Sequence, residues 1–354
     1  MPTGSPVPVV LQRRQPAAPT GQLPVAGPLV DRFGRVHTDV RLSVTDRCNL
    51  RCSYCLPEEK ASWLPGGDIL TFDEMARVAA VARQLGVRTV RLTGGEPLLR
   101  QGIAELVARL DSLGFDDLSL TTNGVRLARM AGDLAAAGLR RVNVSCDSLT
   151  ADRFREITRR DVLAQVLEAM DVAEASGLTP VKVNVVVIGG VNDDEVLDFA
   201  AFARRTGRVV RFIEYMPLDA GRAWQRPVVV PGHEILGRIA ARWPLAPIGK
   251  VGDDPAPADR YRFLDGGGEI AVISSVTAPF CGSCDRLRVT ADGAIRNCLF
   301  AATEWSLRDA MRSGCSDDEL ALLFREAVWQ KLPGHGIGDV DFVPPARTMS
   351  QIGG

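Results

Sequence analysis

Six cysteines of this chain stand in two tight triplets. Cys48, Cys52 and Cys55 are spaced CxxxCxxC. Cys281 and Cys284 form a CxxC, with Cys298 following after 13 intervening residues. Thiolates at such spacings are ligands for a metal ion or an iron–sulfur cluster. A structural zinc ion normally takes four protein ligands. The histidine nearest the first triplet, His37, lies on the far side of a strand-like run, where packing or surface exposure accounts for it. Three cysteines on a four-iron cluster leave one iron without a protein ligand, open to a small molecule that carries an amine and a carboxylate. Cys146 and Cys315 fall outside the triplets and read as small packed or partly exposed hydrophobes, inert in catalysis. The N-terminal stretch lacks the basic-then-apolar order of a secretory signal. A cytoplasmic, reducing location is therefore expected, with free thiols rather than disulfides.

These ligands need elements to position them. Short β-like runs at 40–45, 87–93, 118–122, 141–146, 181–188 and 209–215 alternate with helical patterns at 72–85, 103–113, 162–176 and 194–206. The runs are nearly continuous in apolar or β-branched residues, which predicts strands buried on both faces. Thr71 as N-cap, Glu74 three residues on and Gly86 as a stop delimit the first helix. Six β–α steps predict a parallel sheet with right-handed crossovers, open or partly closed, and short of an eightfold barrel. The first triplet follows the first strand directly, at the sheet edge where ligands bind in such architectures. Residues 1–29 read as a flexible extension of no assigned function, 30–216 as the α/β core, and 217–354 as a smaller α+β unit around the second triplet.

Composition narrows the field. With 42 basic and 43 acidic residues the formal charge is −1, so a general nucleic-acid-binding field is not expected. No run of apolar residues is long enough to predict a membrane-spanning helix.

The motifs carry a family resemblance. "CNLRCSYC" resembles the cluster signature of radical S-adenosylmethionine (SAM) enzymes, with Tyr54 as the aromatic before the last cysteine. "LTGGEPLLR" is similar to that superfamily's Gly-Gly-Glu-Pro segment, which meets the SAM amino group. This assigns Gly95 and Glu96 to SAM, and glycine suits a close backbone approach to a ligand. "RLSVTDRCNLRCSYCLP", "LTTNG", "RRVNVSCDSL", "VKVNVVVIGGVND", "RFIEYMPL", "FCGSCDRLRVTADGAIRNCLF" and the terminal "RTMSQIGG" resemble the GTP 3′,8-cyclase family of molybdenum cofactor biosynthesis over roughly 29–354. Cys146 stands in "NVSCDS" where that pattern has an apolar residue.

The resemblance implies an incomplete (βα)6 barrel of the TIM-like, radical SAM type with a C-terminal domain closing its mouth. It implies two [4Fe-4S] clusters, on Cys48, Cys52 and Cys55 and on Cys281, Cys284 and Cys298, together with SAM. Ser145 would meet the SAM ribose and Met216 its adenine. GTP would be held by Arg41, Arg91, Thr121, Lys182, Arg286 and Arg288. Arg286 and Arg288 are two apart in a strand pattern and so share a face. The Gly353–Gly354 tail would reach into the active site, and Arg286, Arg288, Gly353 and Gly354 would serve catalysis. The implied reaction releases methionine and a 5′-deoxyadenosyl radical, removes the 3′ hydrogen of GTP, and joins C3′ to C8. The implied partners are an electron donor and cyclic pyranopterin monophosphate synthase as the next enzyme, with a homodimer compatible. Neither nucleic acid nor membrane is implied. No conventional general base is indicated, and His233 and His335 carry no assigned role.

Overall fold

The computed structural model describes residues 21–57, 61–218, 224–249, 256–340 and 342–353. The first part runs β1 (Asp39–Ser43), α1 (Phe72–Gln84), β2 (Thr89–Thr93), α2 (Ile103–Asp111), β3 (Asp117–Thr122), α3 (Leu127–Ala136), β4 (Arg141–Ser145), α4 (Ala151–Thr158), α5 (Leu163–Ala175), β5 (Lys182–Val187), α6 (Val196–Thr206) and β6 (Val209–Glu214). Then follow α7 (Gly232–Ala240), β7 (Leu245–Ile248), β8 (Asp259–Phe263), β9 (Glu269–Ile273), β10 (Arg286–Val289), β11 (Ala294–Arg296), β12 (Trp305–Ser306), α8 (Leu307–Arg312), α9 (Asp317–Trp329) and α10 (Met349–Ile352).

Strands β1 to β6 pair in sequence order, all parallel. The last third of the chain extends this same sheet at both edges. β9 adds parallel to β6, and β10 adds parallel to β1. Antiparallel β8 and β7 continue one side, and β11 and β12 the other. The sheet ends at β7 and β12 without closing. Its convex face carries Val40, Leu42, Leu92, Leu120, Val144 and Val183 against Met75, Val78, Leu106, Ala131, Val166 and Phe199 of the helices.

The strands are not buried alike on both faces. β5 alternates half-buried with buried residues, and its half-buried Lys182, Asn184 and Val186 line a cavity. The concave face wraps a space instead of a second packed layer, so it tolerates polar residues that a packed layer would exclude. The Thr71–Glu74 capping box forms as expected: Thr71 Oγ1 accepts from Glu74 N and Glu74 Oε2 from Thr71 N. Helices α3 and α4 were not anticipated. Neither has a side-chain N-cap, α4 is only eight residues long, and α3 contains Gly132. Their local signals are weak, and packing decides them.

Candidate functional site

Parallel pairing fixes where the triplets go. Cys48 lies beyond the C-terminal end of β1. Cys284 lies just before β10, whose Arg286 pairs with Asp39 at the start of β1. The two triplets therefore flank opposite ends of the barrel. A cavity of about 1110 Å³ connects them and is lined by all six cysteines.

At the upper end, Cys48 Sγ accepts from Leu50 N at 3.4 Å, and Asn123 Nδ2 lies 3.9 Å away. Cys55 takes a hydrogen bond from the Ser350 backbone. Burial pushes the Cys48 thiol up to about 11, that of Cys55 to about 12 and that of Cys52 well above its ordinary value; neighbouring thiols add to the rise at Cys52 and Cys55. Three thiols this close, each hard to ionise alone, fit an iron core whose charge would hold them as thiolates. Among the described residues no three Cys, His, Asp or Glu side chains close on a point that a single ion would occupy.

The glycines of "GGEP" have a nearer cause than a ligand. A Cβ on Gly94 would stand 2.6 Å from the Thr45 carbonyl, and one on Gly95 would stand 2.5 Å from that of Arg47. Gly95 N and Glu96 N donate to Thr45 O and Arg47 O at 2.7 Å. The two loops thus lock together just before Cys48. The Glu96 carboxylate is fully occupied, accepting from Leu98 N, Thr122 Oγ1 and Asn123 N at 2.7–3.0 Å. Burial nevertheless lifts it to about 7. Tyr54 donates to Asp147 Oδ2 at 2.6 Å. Asp147, lifted by burial to about 6, also accepts from Val186 N. Ser145, Thr121 and Met216 line the same cavity, and Asn143 Nδ2 donates to Thr121 Oγ1 at 3.4 Å.

Between the triplets the register stacks cations. Arg288, Arg41, Arg91, Ser119 and Arg141 stand level on β10, β1, β2, β3 and β4. Lys182 lies a step higher, level with Asn143, and Arg211 higher again, level with Asn184. Burial, then crowding by neighbouring cations, lowers Arg41 well below its ordinary value, Arg211 to about 9, Arg288 to about 10 and Lys182 to about 8. Asp39 is one carboxylate among them, with Asp285 beside it; Arg91, Arg41 and Arg286 keep Asp39 low against burial. Arg141 pairs with Asp117. Among the described residues, buried Arg41 Nε, Arg211 Nε and Arg286 Nη2 find no hydrogen-bond partner. Buried donors without acceptors are costly, and this many in one cavity suit a polyanion that accepts from several at once.

At the lower end, burial raises Cys284, but Lys331 and Arg286 beside it bring it down to about 7. Cys281 takes a hydrogen bond from the His335 backbone, and His335 Nε2 meets Ser275 O at 2.9 Å. The C-terminal segment returns through the barrel, where Arg288 Nη1 donates to Gly353 O at 2.7 Å. Gly354 lies outside the described residues.

Family models match on both sides of the site, Radical SAM superfamily over 42–203 and Molybdenum Cofactor Synthesis C over 208–337. A GTP 3′,8-cyclase of Streptomyces coelicolor is 50% identical over 328 residues, covering 92% of this chain and 96% of the relative. One of Corynebacterium glutamicum is 48% identical, covering 92% and 89%. GTP 3′,8-cyclase 2 of Mycobacterium tuberculosis is 47% identical over 98% of each chain. The chain belongs to the GTP 3′,8-cyclase family.

Membership in this radical SAM family implies a [4Fe-4S] cluster and SAM. The fold agrees: SuiB of Streptococcus suis bound to S-adenosylmethionine superposes with a TM-score of 0.57 at 12% identity, over 79% of this chain and 67% of that one. Native anSMEcpe with bound AdoMet and Cp18Cys peptide gives 0.53 at 15% identity, over 85% and 82%. No helix among the described residues is long and apolar enough to cross a membrane.

Within the family site, reasoning from sequence missed Arg211, Arg141 and Asp39. The signal was present. Arg211 is a charge inside an apolar strand, and Arg141 shares a strand face with Asn143 and Ser145 at period two. His37 proves fully buried. Cys146 is buried too, its thiol donating to Ser148 O.

Proposed function

We propose that the chain is a GTP 3′,8-cyclase that catalyses the first step of molybdenum cofactor biosynthesis, with a second [4Fe-4S] cluster on Cys281, Cys284 and Cys298. The observation that carries this reading is the tier of buried cations between the two triplets, with unpaired donors facing one cavity. Cys48, Cys52 and Cys55 would hold the upper cluster, which with SAM would supply the radical chemistry needed to remove the 3′ hydrogen of GTP. The chain's own residues do the positioning. Arg41, Arg91, Lys182, Arg286 and Arg288, joined by Arg141 and Arg211, grip the triphosphate and fix the ribose relative to the upper end. Thr121 adds a hydroxyl, and Tyr54, Gly95, Glu96, Ser145 and Met216 shape the SAM side. The barrel wall and the tail carrying Gly353 and Gly354 exclude water. Such positioning converts a diffusive encounter into a near-attack geometry. An electron donor, cyclic pyranopterin monophosphate synthase as the next enzyme, a cytoplasmic location and a homodimer belong to the same reading.

The test is anaerobic turnover of iron- and sulfide-reconstituted protein with reductant, SAM and nucleotide. Deoxyadenosine formed only with GTP, together with a cyclised GTP isomer, is the expected result. Deoxyadenosine formed equally with any nucleotide or none would sink the GTP assignment.

A further inference from the structure

A buried ionic chain stands behind the second triplet, on the side away from the cavity. The segment before β1 folds back on itself through the Val30–Val36 bridge and carries Asp31, Arg35 and His37. Lys331 lies just past α9. Their relative exposures are 2%, 9%, 0% and 3%. Asp31 Oδ2 accepts from Arg35 Nε at 2.6 Å and meets His37 Nε2 at 3.1 Å. His37 Nδ1 faces Lys331 Nζ at 3.5 Å. Lys331 Nζ donates to Arg286 O at 2.8 Å and reaches Cys284 Sγ and Cys284 O, each at 3.4 Å. Arg35 Nη1 donates to Cys281 O at 2.6 Å. These contacts set the imidazole: Nε2 carries the proton toward Asp31, and Nδ1 accepts from the ammonium.

The charges do not balance. Lys331 and Arg35 are two cations, Asp31 is one anion, and His37 is neutral at pH 7, burial holding it near 4. An uncompensated positive charge in an interior is costly unless an anion faces it. Among the described residues, the groups beside Lys331 that can become one are the sulfurs of Cys284, at 3.4 Å, and of Cys298. Lys331 does not line the cavity, so it cannot act on a ligand there directly. The upper triplet differs. Its sulfurs take hydrogen bonds from neutral donors, Leu50 N, Asn123 Nδ2 and Ser350 N, and the cation beside it, Arg51, gives its Nη1 hydrogen bond to the Cys48 carbonyl at 2.9 Å, not to the sulfur. Hydrogen bonds and positive charge at cluster sulfurs favour the reduced, more negative cluster and raise its potential.

We infer that Lys331, oriented by His37 and Asp31, is a positioning residue that holds the C-terminal cluster at a higher reduction potential than the N-terminal one. This rests on the reading that Cys281, Cys284 and Cys298 hold a [4Fe-4S] cluster. Each cluster takes one electron to pass from its oxidised to its singly reduced state, and the first electron from an external reductant would then enter the lower cluster.

The test is an anaerobic dithionite titration of the full-length, doubly reconstituted protein, followed by electron paramagnetic resonance. The C-terminal signal is the one missing from C281A/C284A/C298A. In K331M that signal is expected to move to more negative potential while the N-terminal signal stays, and K331R is expected to keep it near the wild-type value. D31N removes the negative charge and should move it the opposite way, which gives an independent reading if K331M fails to hold iron. Wild-type iron content unaltered by C281A/C284A/C298A would overturn the second-cluster reading and the inference with it. Full iron content with a C-terminal potential unmoved in K331M, or unmoved in D31N, would overturn the inference alone.

Discussion

Arg211 shows what a buried cation does in a ligand cavity. Its guanidinium touches Asn143, while its Nε has no partner among the described residues and burial lowers its affinity for protons. Arg211→Met should weaken GTP binding by roughly ten- to a hundredfold, since a charged hydrogen bond contributes about 1.5–3 kcal/mol. The same change should leave the ligand-free protein as stable as before or more so, because it removes an uncompensated buried charge. Anaerobic calorimetry and a thermal melt read the two effects; loss of both affinity and stability would mean that Arg211 is structural. Lys182 adds a pH signature. Burial holds it at about 8 against an ordinary 10.5, followed by the cations that face it: Arg211 from β6, Arg141 from β4, Arg91 from β2 and Arg260 from β8. Between those values the unfolded chain binds more protons than the folded one. The charged lysine therefore costs stability below about pH 8, and that cost fades as pH rises through the window. A triphosphate needs the charged form. GTP affinity should fall as pH climbs past 8 while the ligand-free fold gains, and Lys182→Gln should flatten both trends.

At the scale of elements, the C-terminal segment is the most telling. α10 is a single turn with a Thr348–Gln351 capping box, and the segment touches the upper triplet and the cation tier, Ser350 at Cys55 and Gly353 at Arg288. Gly353 has φ +87°, and a Cβ there would stand 2.7 Å from that of Ser43 and 2.9 Å from Thr93 Oγ1. Gly353→Ala should therefore dislodge the tail and cut turnover at least about tenfold, the scale of a misplaced positioning group, with iron content unchanged. Turnover equal to wild type would show that the tail is a bystander. Reading the sequence located this tail through its two glycines but not the helical turn that aims it. The same split recurs elsewhere. Strands and long capped helices were legible because period and caps are local signals. The level row of Arg288, Arg41, Arg91 and Arg141 was not, because register between strands distant in sequence is set by packing. Lys331 carried no local mark at all: in the sequence it is the end of a helix, and only tertiary structure brings it to Cys284.

For the whole molecule, the topology separates two chemistries along one axis. β1 delivers its triplet from its C-terminal end, and β10, running parallel beside it, must carry its own at the opposite end. The cation tier lies between them on the strands themselves, so neither end can be moved without shifting register through the sheet. The consequence is testable by splitting the ends. C48A/C52A/C55A should lose the upper cluster's iron and all deoxyadenosine formation, yet still bind GTP, because the triphosphate grip does not depend on that end. C281A/C284A/C298A should keep the upper cluster and slow, uncoupled cleavage of SAM, and should bind GTP more weakly. Iron analysis, nucleotide calorimetry and deoxyadenosine assay read these three quantities in each variant. If either variant lost both clusters' iron, the two ends would be one cooperative unit. Their separation by the barrel would then be a matter of geometry without functional independence.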